Sequence, residues 1–204
     1  MNLLASSFPD ASRLGRRDLM PDTTPPQPGP DAQRPLVIDL DGTPVATDTL
    51  WESLMVLVAS QPLALLQVPG WLLGGKARFK HKVAEQVSLD PAALPYRPEV
   101  LALARAARDA GRPVVLASAC DRSIADAVAA HLGCFDTVVA TDGKTNCAGP
   151  GKLAAVRAAL ADNASQPADS DADLAFDYAG NAEVDLPVWA QAQTAYLVDT
   201  PAAV

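Results

Sequence analysis

The chain has 204 residues, 49% of them hydrophobic, and a formal net charge of −8. That length allows one ordinary core with a small accessory part, and the acidic balance excludes general nucleic-acid binding, which needs a basic footprint. Cys120, Cys134 and Cys147 are odd in number and lack C-x-x-C spacing, so reduced thiols fit better than a disulfide or zinc framework.

In chain order, residues 1–20 hold Leu3 and Leu4 but no sustained apolar core, and Asp10 precedes Arg13, Arg16 and Arg17. That pattern does not match a secretory signal. Residues 21–35 turn to Pro, Thr, Gln, Gly and Asp, a composition that cannot bury enough surface to offset the entropy of ordering. A mostly disordered tail is therefore expected over 1–34, ahead of one domain over 35–204. A cytoplasmic location is expected.

The first structured element is the run Pro35-Leu36-Val37-Ile38-Asp39-Leu40-Asp41-Gly42-Thr43. It is short, β-branched and bounded by Pro35 and Gly42, which fits a buried strand of a parallel sheet. In open α/β sheets chemistry collects at the carboxyl ends of strands. Extended geometry would bring Asp39 and Asp41 to one side, and two carboxylates that close call for a cation. Gly42 and Thr43 suggest a tight turn with free backbone N–H groups, a cradle for an anion. The run resembles the D-x-D-G-T motif of the haloacid dehalogenase (HAD) superfamily. That resemblance implies that Asp39 attacks phosphorus and Asp41 serves as general acid and base.

Thr47-Asp48-Thr49-Leu50-Trp51-Glu52-Ser53 reads as a helix start, with Asp48 or Thr49 as N-cap and Glu52 placed for a capping box. It opens a helical insertion over about 50–94. No charged residue stands between Glu52 and Lys76, and residues 54–73 are long enough to invite a membrane span. Pro62 and Pro69 cut the run, which favours two short helices of an apolar cap; interfacial contact with a membrane face and a true span are the other readings. Lys76, Arg78, Lys80 and Lys82 follow directly. They form either a solvated helix face or a surface for a phosphorylated substrate or anionic lipid head groups.

The pattern from Pro98 predicts a helix with Leu101, Ala104 and Ala107 on one face, stopped by Gly111. Strands are expected at 113–117, 137–140, 174–179 and 195–198, with helices at 121–132 and 153–160. His131, near a helix end, reads as packing or dipole-complementing rather than catalytic. The Asn163-Ala164-Ser165 sequon carries no weight without secretion. Strands alternating with helices describe an α/β fold, a doubly wound parallel sheet with a small helical cap inserted after the first strand.

Three further features follow the order of the HAD motifs. Ser118, after a strand, resembles the second motif, a hydroxyl on the transferring phosphoryl group. Lys152, opening a helix, resembles the third, an ammonium that offsets the charge of nucleophile and phosphate. Gly180-Asn181-Ala182-Glu183-Val184-Asp185 resembles the fourth, G-D-x-x-x-D, whose acids hold magnesium. Asn181 stands where an acid is usual, which removes one negative charge and should weaken metal affinity. Pro44, where an aliphatic residue is common, is the second departure. The resemblance implies Mg2+ held by Asp39, Asp41, Asn181 and Asp185, with Thr43, Ser118 and Lys152 on the substrate.

Residues from about 35 to 198 also resemble the HAD domain fused ahead of UbiA-type prenyltransferases. Trp51-Glu52-Ser53-Leu54, Leu89-Asp90-Pro91, Phe176-Asp177-Tyr178-Ala179-Gly180 and Asp185-Leu186-Pro187-Val188-Trp189 carry that likeness. It implies a phosphatase acting on a phosphorylated small molecule or a lipid-linked, prenyl or glycosyl phosphate. A peripheral place at the inner face of the membrane, beside such a prenyltransferase, goes with it. The competing reading is a catalytically weak binding or regulatory module, which Asn181 and Pro44 favour and the other motif residues oppose.

Overall fold

The computed structural model describes residues 34–163 and 175–199. The expected tail lies outside the described residues except for Arg34, whose guanidinium pairs with Asp177 at 3.0 Å. The sequon and the start of the expected strand at Leu174 also run outside them.

Five strands, β1 (Leu36–Ile38), β2 (Val114–Asp121), β3 (Thr137–Thr141), β4 (Asp177–Gly180) and β5 (Ala195–Leu197), form one parallel sheet in the spatial order β3-β2-β1-β4-β5. Central β1 sets Leu36 beside Val114 and Asp177, and Ile38 beside Leu116 and Ala179. All three of its residues are buried, because the sheet is covered on both faces and alternation has no solvent side to serve.

The helices α4 (Pro98–Asp109), α5 (Arg122–Leu132), α6 (Pro150–Asn163) and α7 (Leu186–Trp189) supply the two outer layers. Val37, Val115, Val139 and Tyr178 pack with Val156 and Leu160 of α6 and Trp189 of α7. The other face sets Leu36, Ile38 and Val114 against Val100 and Ala104 of α4, and Leu116 against Ala125 and Val128 of α5. The α/β, parallel-sheet expectation is therefore met. From β1 the chain runs outward on one side to β2 and β3 and later on the other to β4 and β5. The carboxyl end of β1 is thus the switch point where such sheets form their crevice.

The fourth strand begins at Asp177 rather than at residue 174. Phe176, just ahead of it, is buried, while Asp177 is held by Arg34 and Arg112 at the strand's entrance. Between β1 and α4 stand three cap helices, α1 (Thr49–Ser60), α2 (Val68–Leu73) and α3 (Gly75–Gln86), with a 3-10 stretch over Pro62–Gln67. Leu57, Ala64, Trp71 and Val83 form their own small core. Pro62 ends α1 as expected, but Pro69 does not break a helix. It sits in the first turn of α2, where its missing N–H has no partner to lose. Among the described residues no helix is long and apolar enough to cross a membrane.

Candidate active site

Asp39 follows β1 directly, and its backbone N–H extends the ladder to Ala179 O at 2.9 Å. The chain then reverses at Gly42, whose φ of 76° is a left-handed value that favours glycine. A Cβ on Gly42 would also lie 1.9 Å from the Asn181 amide nitrogen, so the Asn181 side chain would have to move. The expected cradle of free N–H groups is not formed. Gly42 N–H donates to Thr47 O at 3.2 Å and Thr43 N–H to Leu40 O at 3.3 Å, because the tight turn consumes its own donors. The Thr43 hydroxyl is buried with no partner among the described residues.

Asp41 accepts a hydrogen bond from Thr49 N–H at 2.7 Å, at the start of α1. Asp48 caps the same helix, accepting from Leu50 N–H at 2.8 Å and Trp51 N–H at 3.1 Å. Glu52 takes the Thr47 hydroxyl at 2.9 Å instead of closing a capping box. Burial raises the Asp41 carboxyl above its ordinary pKa, against the pull of the Thr49 hydrogen bonds.

Helix α6 sends Lys152 beneath the end of β1. Its ammonium donates to Asp39 Oδ1 at 2.8 Å, to Asp185 Oδ1 at 2.7 Å and to the Tyr178 hydroxyl oxygen at 3.1 Å. Tyr178 O–H in turn donates to Asp185 Oδ1 at 2.8 Å. All four side chains are buried. Burial works against the Lys152 ammonium, but Asp39 and Asp185 outweigh it and hold its pKa above the usual lysine value. Burial pushes the Asp39 carboxyl up to about 7 even with Lys152 beside it. Asp185 Oδ2 is buried without a partner among the described residues.

A cavity of about 390 Å³ opens over this cluster, lined by Asp39, Asp41, Lys152, Asn181, Lys80 and Leu50 among others. Ser118 does not reach its wall. The Ser118 hydroxyl is buried and accepts from Cys120 N–H at 3.0 Å, so the strand end presents Ala119 and Cys120 instead. Asp185 likewise lies behind Lys152 rather than on the wall. Burial raises the Cys120 thiol, in keeping with a packing role. His131 stacks on Tyr96 with centroids 6.0 Å apart.

The basic cluster divides. Lys80 alone of its four cations enters the cavity, donating to Ala119 O at 2.6 Å, while Lys82 pairs with Glu85 at 2.6 Å and Lys76 and Arg78 are exposed. Tyr178, which completes the Lys152 cluster, was not among the site residues expected from sequence. Its signal was faint: a hydroxyl two residues before Gly180, on a strand whose neighbours are apolar.

Residues 36–189 match the haloacid dehalogenase-like hydrolases. The chain belongs to that family. An enzyme of this hydrolase class is what the motif order implied. An uncharacterised protein, y4nM, of Sinorhizobium fredii is 38% identical over 169 residues, which cover 82% of this chain and 30% of that protein. The chain thus spans about a third of that relative's length. Among solved structures, a HAD family hydrolase from Salmonella enterica serovar Typhi superposes with a TM-score of 0.53 at 15% identity, covering 78% of this chain and 60% of that one. A probable phosphoserine phosphatase from Vibrio cholerae gives 0.52 at 18%, covering 81% and 56%. At these identities the likeness is one of fold.

The donor set facing the cavity suits a hard dication. Asp39, Asp41 and Asn181 all offer oxygen, and two buried carboxylates, Asp39 and Asp185, hold the buried Lys152 ammonium. Among the described residues no three His, Cys, Asp or Glu side chains gather as a metal cluster, and position 181 holds an amide.

Proposed function

We propose that this protein is a magnesium-dependent phosphomonoester hydrolase working through an aspartyl-phosphate. One observation carries the reading: a buried lysine grips the first carboxylate of the D-x-D motif at 2.8 Å on the wall of a cavity that the second carboxylate also lines. Asp39 attacks phosphorus in line, and the ester P–O bond breaks as Asp41 gives its proton to the leaving oxygen. Asp41, now a carboxylate, takes a proton from water as that water attacks phosphorus. The acyl-phosphate bond breaks, releasing inorganic phosphate and restoring Asp39. The raised Asp41 pKa favours the proton-loaded start of this cycle.

Lys152 fixes Asp39 and offsets the charge gathered there, Asp185 and Tyr178 hold Lys152, and Thr43 and Ser118, both buried off the cavity wall, would act by supporting the turn and strand end behind it. Asp39, the Asp41 carbonyl and Asn181 would hold Mg2+, with Asp185 close behind; the ion would neutralise phosphoryl charge. HAD phosphatases in general use this ion.

The same reading extends to lipid-linked phosphates at a membrane surface. Trp51, Leu63, Leu66 and Leu73 are 59, 79, 80 and 91% exposed on the cap, beside exposed Lys76 and Arg78. Exposed apolar side chains and exposed cations on one cap suit an anionic interface. A UbiA-type prenyltransferase as partner rests on the sequence resemblance, and the Sinorhizobium relative, of which the matched stretch is 30%, leaves room for a further domain there. The rival, a catalytically weak regulatory module, draws on Asn181 and Pro44.

Phosphate release from a panel of soluble and lipid-linked phosphomonoesters, with magnesium and with a chelator, decides between them. Release that requires magnesium, with a lower half-saturating concentration in Asn181→Asp, supports the hydrolase. No release from any member of the panel would favour the module.

A further inference from the structure

We propose that Lys80, carried by cap helix α3, is a second phosphate-binding ammonium and a specificity residue that selects dianionic phosphomonoesters. The inference rests on the hydrolase reading for its substrate and on separate geometry for its site. Lys80 stands apart from its neighbours in the basic run. Lys82 is neutralised by Glu85, and His81 is engaged by Asp121 at 2.9 Å and by Glu85 at 3.3 Å. The Lys80 ammonium has only neutral acceptors in its immediate surroundings, Ala119 O at 2.6 Å and, at 3.5 Å, Asn146 Oδ1. Among the described residues no carboxylate lies within 4.0 Å of it.

An ammonium carries three donors, so one remains after these two contacts. A half-buried cation on the cavity wall that makes no ion pair of its own, and whose charge is felt by Asp41 on the same wall, is a site for an anion. Lys152 lines the same cavity but is already held by two carboxylates, which leaves Lys80 as the cation with charge to give. Its carbonyl anchor, Ala119, lies on the wall of the same cavity at the carboxyl end of β2. The cap therefore takes part in phosphate recognition as well as covering it. A phosphomonoester with two negative charges would join Lys80 on the cap to the Asp39–Lys152 end of the sheet. A phosphodiester with one charge would gain less.

The test is calorimetric titration of the full chain with inorganic phosphate in a chelating buffer, so that binding is read without metal and without turnover. Lys80→Met should weaken binding roughly 10- to 100-fold, Lys80→Arg should restore most of it, and Lys82→Met should leave it unchanged. The parent affinity should also fall as salt rises. Equal affinity in Lys80→Met and the parent, or no phosphate binding by the parent at all, would overturn the proposal; a thermal melt of each variant confirms the fold. The two readings fail separately. Lys80-dependent phosphate binding in a protein that hydrolyses nothing would sink the hydrolase and keep this site. Hydrolysis with Lys80-independent phosphate binding would do the reverse.

Discussion

The end of the sheet buries charge, whereas the cap exposes hydrophobic side chains. Asp39, Lys152 and Asp185 are almost wholly inside the core, while Leu63, Leu66 and Leu73 stand at 79–91% exposure on the cap. Each inverts the usual distribution, and the two inversions have different costs. Buried charges persist only where partners answer them, as Lys152 does for two carboxylates at once. Exposed leucines need no partner to keep the cap folded, because its own core of Leu57, Ala64, Trp71 and Val83 is elsewhere. The first inversion is therefore coupled to stability. The second belongs to a surface and is free of it.

Lys152→Met gives the sharpest contrast, since it leaves Asp39 and Asp185 buried without their cation. Urea unfolding at neutral pH should show a loss of about 3–5 kcal/mol; a loss below about 1 kcal/mol would mean that the carboxylates do not depend on it. A smaller effect follows from Asp39, whose pKa is raised by burial from 3.8 to about 7. Between those values the folded protein binds the extra proton, so stability should fall as pH rises through that window. In thermal melts Asp39→Asn should lose that part of the slope, and its stability relative to the parent should improve from pH 5 to pH 8.

Two glycines compare the regions directly. A Cβ on Gly180 would lie 2.7 Å from both Asp185 Oδ2 and the Tyr178 ring, so Gly180→Ala should cost about 1–3 kcal/mol. Gly70, in cap helix α2, has nothing within 4 Å of its Cβ position, so Gly70→Ala should add about 0.5–1 kcal/mol. Matching signs in chemical denaturation would erase the distinction. The smallest stability effect should come from Leu63, Leu66 and Leu73 changed to Gln, each within about 0.5 kcal/mol of the parent. The same triple change should reduce sedimentation with anionic liposomes. If sedimentation is unaffected, these leucines are not a membrane surface.

Much of the sheet was readable in the sequence because its central strands are largely buried. Leu36–Ile38, the Val114–Ala117 run and Thr137–Thr141 are continuous apolar or β-branched stretches that a two-sided cover requires. Asp39, Asp41 and Lys152 were also readable, since motif order places them at strand and helix ends. What escaped depended on side-chain direction. Nothing in the run from Lys76 to Lys82 marks Lys80 as the member that turns inward; the packing of α3 against β2 decides it. The missing N–H cradle at Gly42 and Thr43 escaped for a different reason: the sequence indicates a tight turn but not which carbonyls its donors will meet. Pro69 shows the same ambiguity, since a proline that breaks a helix and one that starts it look alike without the fold.

The central claim is that Asp39 is a nucleophile held ready by Lys152. Turnover of Asp39→Asn, measured with magnesium on a phosphomonoester that the parent hydrolyses, tests it most directly. The account predicts a loss of at least about 1000-fold in a variant that melts cooperatively. Parent-like turnover by the folded variant would contradict it.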